Sequence, residues 1–416
     1  MFQYWTDDRR ESVVYSFHLV WLFYEAVQGG ADTNELFQAV RNVRAGNSED
    51  WLEAFTALGD RIKAIADEAD AAGHDVTAGG AYWRAFTYYR SAERVLSGRD
   101  PRKLPMYERC IDSFYKGIDR TPHVYERIRI PFDGHMLDGL FLPPRSTRRG
   151  TPPPVIIFPT GADALPEEQL FRGAQEMTAR GAAVLLFNGP GQGKSIRVLG
   201  LATIPDYERV FTAAVDYLMT RDDVDHDRIG LIGGSMAGYY APRAVSFEHR
   251  IKACVVWGAL YDVLRDLYDP YPPLHGQLQW ITGTSSDEEA RAYLAEFNLS
   301  GKLANITCPM LVTHGARDHM VPASSAQQLF DELPVADKEL RIYDDEAGGS
   351  GHCSVDNWTQ VVAYQIDWVL DRLGECKPRS QPALAPRAGL REPEGTGWVP
   401  AGATGQKREE TRCHHA

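Results

Sequence analysis

Apolar residues recur at three- and four-residue steps through the first part of the chain. The clearest stripe, within residues 48–72, comprises Trp51, Leu52, Phe55, Leu58, Ile62 and Ile65. One apolar face of this kind is typical of a helix that packs on a core. The spacing predicts helices over 9–28, 32–43, 48–72, 77–97 and 103–118. We expect these helices to form an N-terminal lid or cap domain over residues 1–120.

The period of the pattern changes after Pro122. Residues 124–130 and 136–142 alternate around a turn, which predicts an antiparallel strand pair. Short apolar runs typical of buried parallel strands follow at 155–158, 183–187, 229–232, 253–257, 310–313 and 340–343. Helical stretches alternate with them at 166–179, 205–220, 236–247, 323–333 and 355–373. This order predicts an α/β fold, with a mostly parallel, doubly wound sheet in a catalytic domain over 121–376.

Residues 261–306 interrupt this alternation. The segment contains a proline-rich stretch at 268–273 and a helix start at Ser286, with Glu289 three residues later. We expect this insertion to contribute to the cap. The last stretch, residues 377–416, is rich in proline, glycine and charge and lacks an apolar period, which predicts a disordered tail.

Composition and charge narrow the classes of partner. The 416 residues carry 44 Lys and Arg against 57 Asp and Glu, a net charge of −13, so we expect neither nucleic acid nor an anionic membrane as a partner. The apolar stretch at 13–27 is interrupted by Ser16, His18 and Glu25 and is too short for a membrane span. The start of the sequence lacks the pattern of a secretory signal, which favours a cytoplasmic location.

A serine between small residues follows the strand predicted at 229–232. A nucleophile elbow needs small residues two positions before and two after its serine, because larger side chains would collide across the sharp turn. Gly233 and Ala237 occupy these positions around Ser235. Since the strict pattern has glycine in place of Ala237, a purely structural glycine-rich turn stays open on this motif alone.

Two further loops carry the partners that a serine nucleophile needs. Asp318 follows the strand predicted at 310–313, and His352 follows the strand predicted at 340–343. The carboxyl ends of parallel strands meet at one edge of a sheet, so we expect these side chains to meet Ser235 there. His314 and His319 are rival bases, but they flank the acid. The imidazole accepts the serine proton and the carboxylate orients the imidazole, which requires no metal or organic cofactor.

The oxyanion formed by attack on a carbonyl needs two aimed N–H donors. The backbone of Met236, directly after the nucleophile, is one expected donor. The loop after residues 155–158 is expected to supply the other, with Ala162 favoured and Gly161 as the alternative. A second glycine-rich turn, at 188–195, fails the phosphate-loop pattern because Asn188 stands where its first glycine is required. No nucleotide is expected.

The motifs around Ser235, Asn188 and Asp318 together resemble the α/β-hydrolase superfamily. More narrowly, the helical region with residues 82–93, the strand pair and residues 159–163 are similar to one branch of it. That branch contains 2,6-dihydroxypseudooxynicotine hydrolase and the fungal heptaketide hydrolase of pigment synthesis. The resemblance covers residues 10–375 and implies cleavage of a carbon–carbon bond beside a ketone.

Substrate contacts are expected from two sources. The resemblance implies an acidic substrate-binding side chain beyond the nucleophile, for which Asp262 and Asp266 are candidates. Trp257 and Tyr82 are candidate aromatic contacts. The aromatic residues of the helical region and the insertion could line a pocket, although aromatic stripes on helices usually pack as core. These are Tyr4, Trp5, Trp21, Tyr82, Trp83, Tyr88, Tyr89, Trp280 and Tyr293.

We therefore expect a serine hydrolase that forms an acyl-enzyme from a polyketide-like or aromatic small molecule. The bond hydrolysed is either a carbon–carbon bond of a ketone or β-dicarbonyl compound, or an ester. The alternatives are a carboxylesterase, or an acyltransferase or cyclase of natural-product biosynthesis that uses the same triad. A binding protein on this scaffold is a further alternative, against which an intact triad argues. Because helical lids often seal dimers, a homodimer is also expected.

Overall fold

Five helices precede the sheet, and their bounds follow the apolar stripes of the sequence. The computed structural model describes residues 10–146 and 151–374. The helices are α1 (Arg10–Val27), α2 (Thr33–Val40), α3 (Ser48–Ala71), α4 (Asp75–Arg94) and α5 (Lys103–Ile118). Asn47 caps α3 by accepting a hydrogen bond from the backbone N–H of Asp50, which satisfies one of the free donors at the helix start. The five predicted helices are confirmed.

The apolar stripe of α3 departs from the predicted set at its C-terminal end. Trp51, Phe55 and Ile62 are fully buried, but Ile65 is 42% exposed. The buried face continues instead through Ala66 and Ala69, because steps of four and three residues from Ile62 keep to the same side of a helix. Inclusion of Ile65 in the buried stripe is therefore wrong.

Helix α4 is the centre of the helical region, since α3 and α5 both pack against it. Three of its tyrosines are buried, and their hydroxyls donate to carboxylates on α2 and α3: Tyr82 to Asp67, Tyr88 to Glu35 and Tyr89 to Asp60. The aromatic rings lie in the core and the hydroxyls reach its polar edge, so these tyrosines hold α4 against α2 and α3. Its C-terminal turn then presents charged residues toward the sheet.

The sheet has eight strands in the order β1-β2-β4-β3-β5-β6-β7-β8. The β1–β2 and β2–β4 pairs are antiparallel, and the remaining pairs are parallel. The strands are β1 (Glu126–Phe132), β2 (His135–Leu142), β3 (Val155–Ile157), β4 (Ala183–Phe187), β5 (Ile229–Gly234), β6 (Ile251–Trp257), β7 (Met310–Gly315) and β8 (Lys338–Tyr343). The predicted mostly parallel α/β sheet is confirmed.

Helices cover both faces of the central strands. They are α6 (Gln175–Ala179), α7 (Gly193–Arg197), α8 (Glu208–Met219), α9 (Ala237–Val245), α10 (His275–Thr282), α11 (Asp287–Leu294), α12 (Ala323–Glu332) and α13 (Trp358–Arg372). A Cβ on Gly230 of β5 would meet Val369 of α13, whereas one on Gly233 would meet Ala241 of α9. Since residues an odd number apart point to opposite faces of a strand, α13 and α9 pack on opposite faces of the sheet.

The interrupting segment 261–306 is helical. It contains a π-helical turn (Leu264–Tyr268), a 3₁₀ turn (Pro272–Leu274), α10, α11 and a second 3₁₀ turn (Leu303–Asn305). Ser286 caps α11 by accepting from the N–H of Glu289, at the predicted helix start. The tail at 377–416 and the residues Tyr4 and Trp5 lie outside the described residues.

Neither a membrane-spanning helix nor a cluster of metal ligands occurs in the described part of the chain, 10–146 and 151–374. No helix there is both long enough and apolar enough to cross a membrane. No group of three or more His, Cys, Asp and Glu side chains there is arranged to hold a metal ion. The described residues form one compact unit, and the predicted division at residue 120 stays a prediction.

Phe55→Ala is expected to lower the free energy of unfolding by about 3–5 kcal/mol. Phe55 is fully buried, and its ring centroid lies 4.5 Å from that of Trp51, so truncation leaves a cavity between α3 and α4. Ile65→Ala, on the exposed side of the same helix, is the control and should change this energy by no more than about 0.5 kcal/mol. Urea unfolding followed by circular dichroism measures both. Equal losses in the two variants would contradict this packing.

Candidate active site

Ser235 lies on the sharp turn between β5 and α9. Its backbone has a φ of 57°, a left-handed conformation that is rare for a side-chain-bearing residue and marks a strained turn. A Cβ on Gly233 would lie 2.5 Å from the carbonyl oxygen of Ala237, so no larger residue fits there. Ala237 itself is fully buried. The turn thus has the geometry of a nucleophile elbow, with alanine accepted at the second small position.

The structure brings together the three side chains predicted to form the triad. The Nε2 atom of His352 lies 2.9 Å from the Ser235 Oγ, and its Nδ1 atom lies 2.7 Å from the Asp318 Oδ2. The other oxygen of Asp318 accepts hydrogen bonds from the backbone N–H groups of Met320 and Val321. These bonds fix the carboxylate, which in turn orients the imidazole so that Nε2 faces the hydroxyl. The three loops follow β5, β7 and β8.

The two rival histidines have other partners. His314 is fully buried in β7 and its Nε2 lies 3.0 Å from the carbonyl oxygen of Val321. The ring of His319 packs edge-on against Phe17 and Tyr271. Neither imidazole forms a hydrogen bond with the Ser235 hydroxyl, so among the described histidines only His352 is placed to accept its proton.

The His352–Asp318 pair shifts both pKa values in opposite directions. Burial alone would lower the pKa of His352, but the charge of Asp318 outweighs it and raises this pKa well above 6.5. Burial alone would raise the pKa of Asp318, but the charge and hydrogen bond of His352 lower it to about 2. Asp318 is therefore ionised at neutral pH, and it favours the protonated form of the imidazole.

Backbone N–H groups suitable for an oxyanion surround the serine. A Cβ on Gly161 would lie 3.1 Å from the Ser235 Cβ, so the loop after β3 passes directly against the nucleophile. The N–H groups of Met236, Gly161 and Ala162 have no hydrogen-bond acceptor among the residues described. The predicted donors are thus unpaired, and both Gly161 and Ala162 stay candidates.

The glycine-rich turn at 188–195 supports this loop. The Gln192 Nε2 donates to the carbonyl oxygen of Thr160 over 2.5 Å, and the Asn188 Oδ1 accepts from the N–H of Lys194 over 2.7 Å. The Ser195 hydroxyl donates to the carbonyl of Asn188. The polar groups of this turn therefore bind backbone and help to position the loop that carries Gly161 and Ala162.

Ser235 opens into a cavity of about 100 Å³. Helix α1 covers it with Phe17, His18 and Trp21, and the 261–306 segment contributes Leu274 and Gln277. Its aromatic walls are completed by Phe158, Trp257 and Trp358. The lining thus includes residues of the helical region and of the 261–306 segment, and the cavity has the flat aromatic surfaces that suit a planar ligand.

Of the four predicted substrate contacts, only Trp257 lies in the described lining of the cavity. The hydroxyl of Tyr82 donates to Asp67, and the ring is core. The carboxylate of Asp266 accepts hydrogen bonds from Arg265 and Ser325, and that of Asp262 accepts from the N–H of Arg265. Local partners thus bind these three side chains, none of which is in the described lining of the cavity, and their role as substrate contacts stays a prediction.

Among the other aromatic candidates that the structure describes, only Trp21 lines the cavity. Trp83, Tyr88 and Tyr89 are buried in the helical core. Two cationic side chains in the lining, Arg94 and Arg172, were missed by the sequence interpretation. Their signal was available, since Arg90, Glu93 and Arg94 stand in a helix of small and aromatic residues.

Comparison with known proteins gives matches over most of the chain. Residues 170–376 match the prolyl oligopeptidase family, peptidase S9. The hydrolase acrC of Aspergillus aculeatus is 30% identical over 432 residues, which cover 91% of this chain and 99% of the relative. The α/β hydrolase psoB of Aspergillus fumigatus is 30% identical over 419 residues, which cover 88% of this chain and 94% of the relative.

Two solved structures share the fold. The crystal structure of 2,6-dihydroxy-pseudo-oxynicotine hydrolase superposes with a TM-score of 0.73 at 25% identity, covering 85% of this chain and 96% of that one. The structure of AbyA5 superposes with a TM-score of 0.64 at 17% identity, covering 82% and 90%. Both similarities extend beyond the sheet into the helical region, since each covers more than four-fifths of this chain.

The rate at which a fluorophosphonate labels Ser235 should rise with pH, with a midpoint above 6.5. Protonated His352 cannot accept the hydroxyl proton, and Asp318 raises the pKa of His352. Asp318→Asn removes that charge, so the midpoint is expected to fall whatever the absolute rate. Asp337→Asn, which removes an exposed carboxylate paired with Arg372, is the control and should leave the midpoint unchanged. A midpoint that Asp318→Asn does not lower would refute the assigned pairing.

Proposed function

This chain belongs to the α/β-hydrolase family, and we propose that it hydrolyses a small aromatic or polyketide-like molecule through an acyl-enzyme on Ser235. The hydrogen-bonded row of Ser235, His352 and Asp318 carries this proposal, with its separations of 2.9 and 2.7 Å. A serine hydroxyl is a weak nucleophile until an adjacent base accepts its proton, and this row supplies the base.

The steps of the reaction follow from the neighbours of Ser235. His352 accepts the hydroxyl proton as Oγ attacks the substrate carbonyl, and the resulting oxyanion binds the N–H of Met236 with that of Gly161 or Ala162. His352 then gives its proton to the leaving group, and the acyl-enzyme forms. Water attacks the ester with His352 again as base, which releases the acid and restores the serine hydroxyl. Asp318 keeps the imidazole oriented in both halves.

The bond that breaks depends on the leaving group. An ester expels an alkoxide, whereas a ketone expels carbon only if the carbanion is stabilised, as the enolate of a β-dicarbonyl compound is. His352 would then protonate carbon rather than oxygen. The aromatic lining of Trp21, Trp257 and Trp358 supports a planar conjugated substrate, and the resemblance to the ketone-cleaving branch favours carbon–carbon cleavage over ester cleavage.

Burial of the site also favours this chemistry. His352 is only 2% exposed, and Phe17 of α1 lies against it with ring centroids 5.9 Å apart. A covered site strengthens the electrostatic stabilisation of the oxyanion and limits side reactions of a carbanion with bulk water. The cap therefore serves the reaction as well as recognition.

Ser235→Ala is expected to abolish fluorophosphonate labelling and to reduce turnover of activated esters at least about a thousandfold, because the nucleophile is lost. Intact mass and peptide mapping of the labelled chain identify the modified residue. Ser285→Ala, at an exposed serine in the 261–306 segment, is the matched control and should label like the wild type. Labelling that persists in Ser235→Ala would sink the proposed mechanism.

Reaction in ¹⁸O-enriched water should place one labelled oxygen in the acid released from the acyl group. Hydrolysis of the acyl-enzyme requires this, because water supplies that oxygen. In an acyltransferase or cyclase, an alcohol, amine or enolate intercepts the acyl group, and the product then carries no label. Mass spectrometry of the products distinguishes these two outcomes. Release of a fragment protonated on carbon indicates ketone cleavage, whereas release of an alcohol indicates ester cleavage.

A further inference from the structure

The cavity above Ser235 has a positively charged wall in an otherwise acidic protein. Arg94 of α4 and Arg172, which follows the loop after β3, both line it. Within the described part of the chain, its lining contains no aspartate and no glutamate. Because the protein has a net charge of −13, this local positive charge contrasts with the charge of the protein as a whole.

The two arginines belong to a buried network of ion pairs. The network joins the cations Arg90, Arg94, Lys103, Arg172 and Arg197 to the carboxylates Glu25, Glu93, Asp163 and Glu168. It therefore contains five cations and four carboxylates. Buried charges are ordinarily balanced by partners, and the ion pairs of this network contain one carboxylate fewer than cations.

Among the described arginines of this network, Arg94 makes the fewest hydrogen bonds. Arg172 donates from Nε and Nη2 to Glu25 and from Nη2 to Glu168. Arg94 donates from Nη2 to Glu168 over 2.5 Å, and its Nε and Nη1 donate to no acceptor among residues 10–146 and 151–374. A guanidinium has five N–H donors in one plane. Arg94 therefore has donors left for a ligand in the cavity.

The surroundings of Arg94 disfavour its positive charge, so an anionic ligand beside it would be stabilising. Burial, followed by the charge of Arg90, lowers the pKa of Arg94 to about 10, so it is charged at neutral pH in an unfavourable environment. His18, beside it in the lining, has its pKa lowered well below 6.5 by burial and by Arg94. The Nδ1 of His18 has no described partner. The neutral imidazole thus adds a polar group beside Arg94 and no negative charge.

Two aromatic rings, those of Phe17 and Trp21, lie between Arg94 and the catalytic His352. The Phe17 ring centroid lies 5.9 Å from that of His352 and 5.2 Å from that of Trp21. The guanidinium carbon of Arg94 in turn lies 5.1 Å from the Trp21 ring centroid. A small conjugated molecule along these rings could contact Ser235 at one end and Arg94 at the other.

We propose that Arg94 binds an anionic oxygen of the substrate, so that the enzyme selects acidic substrates bearing a carboxylate or an ionised enol. This inference rests on the proposed function, because it assumes that the reacting carbonyl lies at Ser235. Carboxylates and 1,3-dicarbonyl enolates share a planar, delocalised negative charge, which the guanidinium plane recognises by paired N–H bonds. Arg94 then determines specificity and orientation while Ser235 carries out the chemistry.

Binding to the Ser235→Ala chain tests the charge requirement without turnover. One pair of probes is 3-phenylpropanoate and its neutral amide, and the other is a cyclic 1,3-diketone ionised at neutral pH and its neutral enol methyl ether. In calorimetry we expect the anion of at least one pair to bind about 10- to 100-fold more tightly than its neutral partner, the range of a charge-assisted hydrogen bond. The pair that discriminates identifies the oxyanion as carboxylate or enolate.

Substitution of Arg94 in the same background assigns the effect. Arg94→Gln should bring the anion and its neutral partner to within about twofold, and Arg94→Lys should retain part of the preference as a point charge. Arg84→Gln on the same helix, which removes an arginine paired with Glu35 outside the cavity, is the matched control and should keep the full preference. Circular dichroism checks the fold of each variant.

The outcomes separate this inference from the proposed function. Equal binding of both members of both pairs to Ser235→Ala overturns the role of Arg94, even if Arg94→Gln fails to fold. An unchanged preference in folded Arg94→Gln overturns it as well. If instead the anion preference depends on Arg94 but wild-type Ser235 neither labels nor turns over esters, the proposed mechanism fails and the anion site stands.

Discussion

The carboxylate of Glu168 is the point at which the helical region and the sheet are joined. It accepts hydrogen bonds from Arg90 and Arg94 of α4, from Arg172, and from the backbone N–H of Leu165. All of these groups are buried or nearly so, and loss of one partner from a buried ion pair typically costs about 3–5 kcal/mol. Helix α4 can therefore occupy only a narrow range of positions relative to the loop after β3.

That constraint positions the whole active-site cavity. The loop that begins at Pro159 carries Gly161 and Ala162 against the serine and continues to Asp163, whose carboxylate pairs with Arg197. The pair between Glu25 and Arg172 fixes α1 above the cavity. One ionic network thus positions α1, the loop that carries Gly161 and Ala162, and the two arginines that line the cavity. Apolar packing would stabilise the same interface, but it would specify the relative position of its elements less sharply.

The sheet and the helices could be predicted because their signals are local. Three- and four-residue periodicity requires only neighbouring residues, and buried strands appear as short apolar runs. The order Ser235, Asp318, His352 was also accessible, since each residue follows a strand and parallel strands end at one edge of a sheet. The sequence even indicated which positions around the serine must be small. The distances between the loops could not be predicted from it.

Side chains whose surroundings come from distant parts of the chain were decided by the tertiary structure. Arg94 stands out as a charged residue in a helix of small and aromatic residues, but only the fold shows that Glu168, 74 residues away, pairs with it. Conversely, Tyr82 and Asp266 looked available for a ligand, but Asp67, Arg265 and Ser325 occupy their polar atoms. The sequence by itself determined the elements, their order and the loops that carry reactive groups, because these depend on local pattern and topology. Burial, ion pairing and the lining of the cavity depend on which distant groups meet, and only the folded chain brings those groups together.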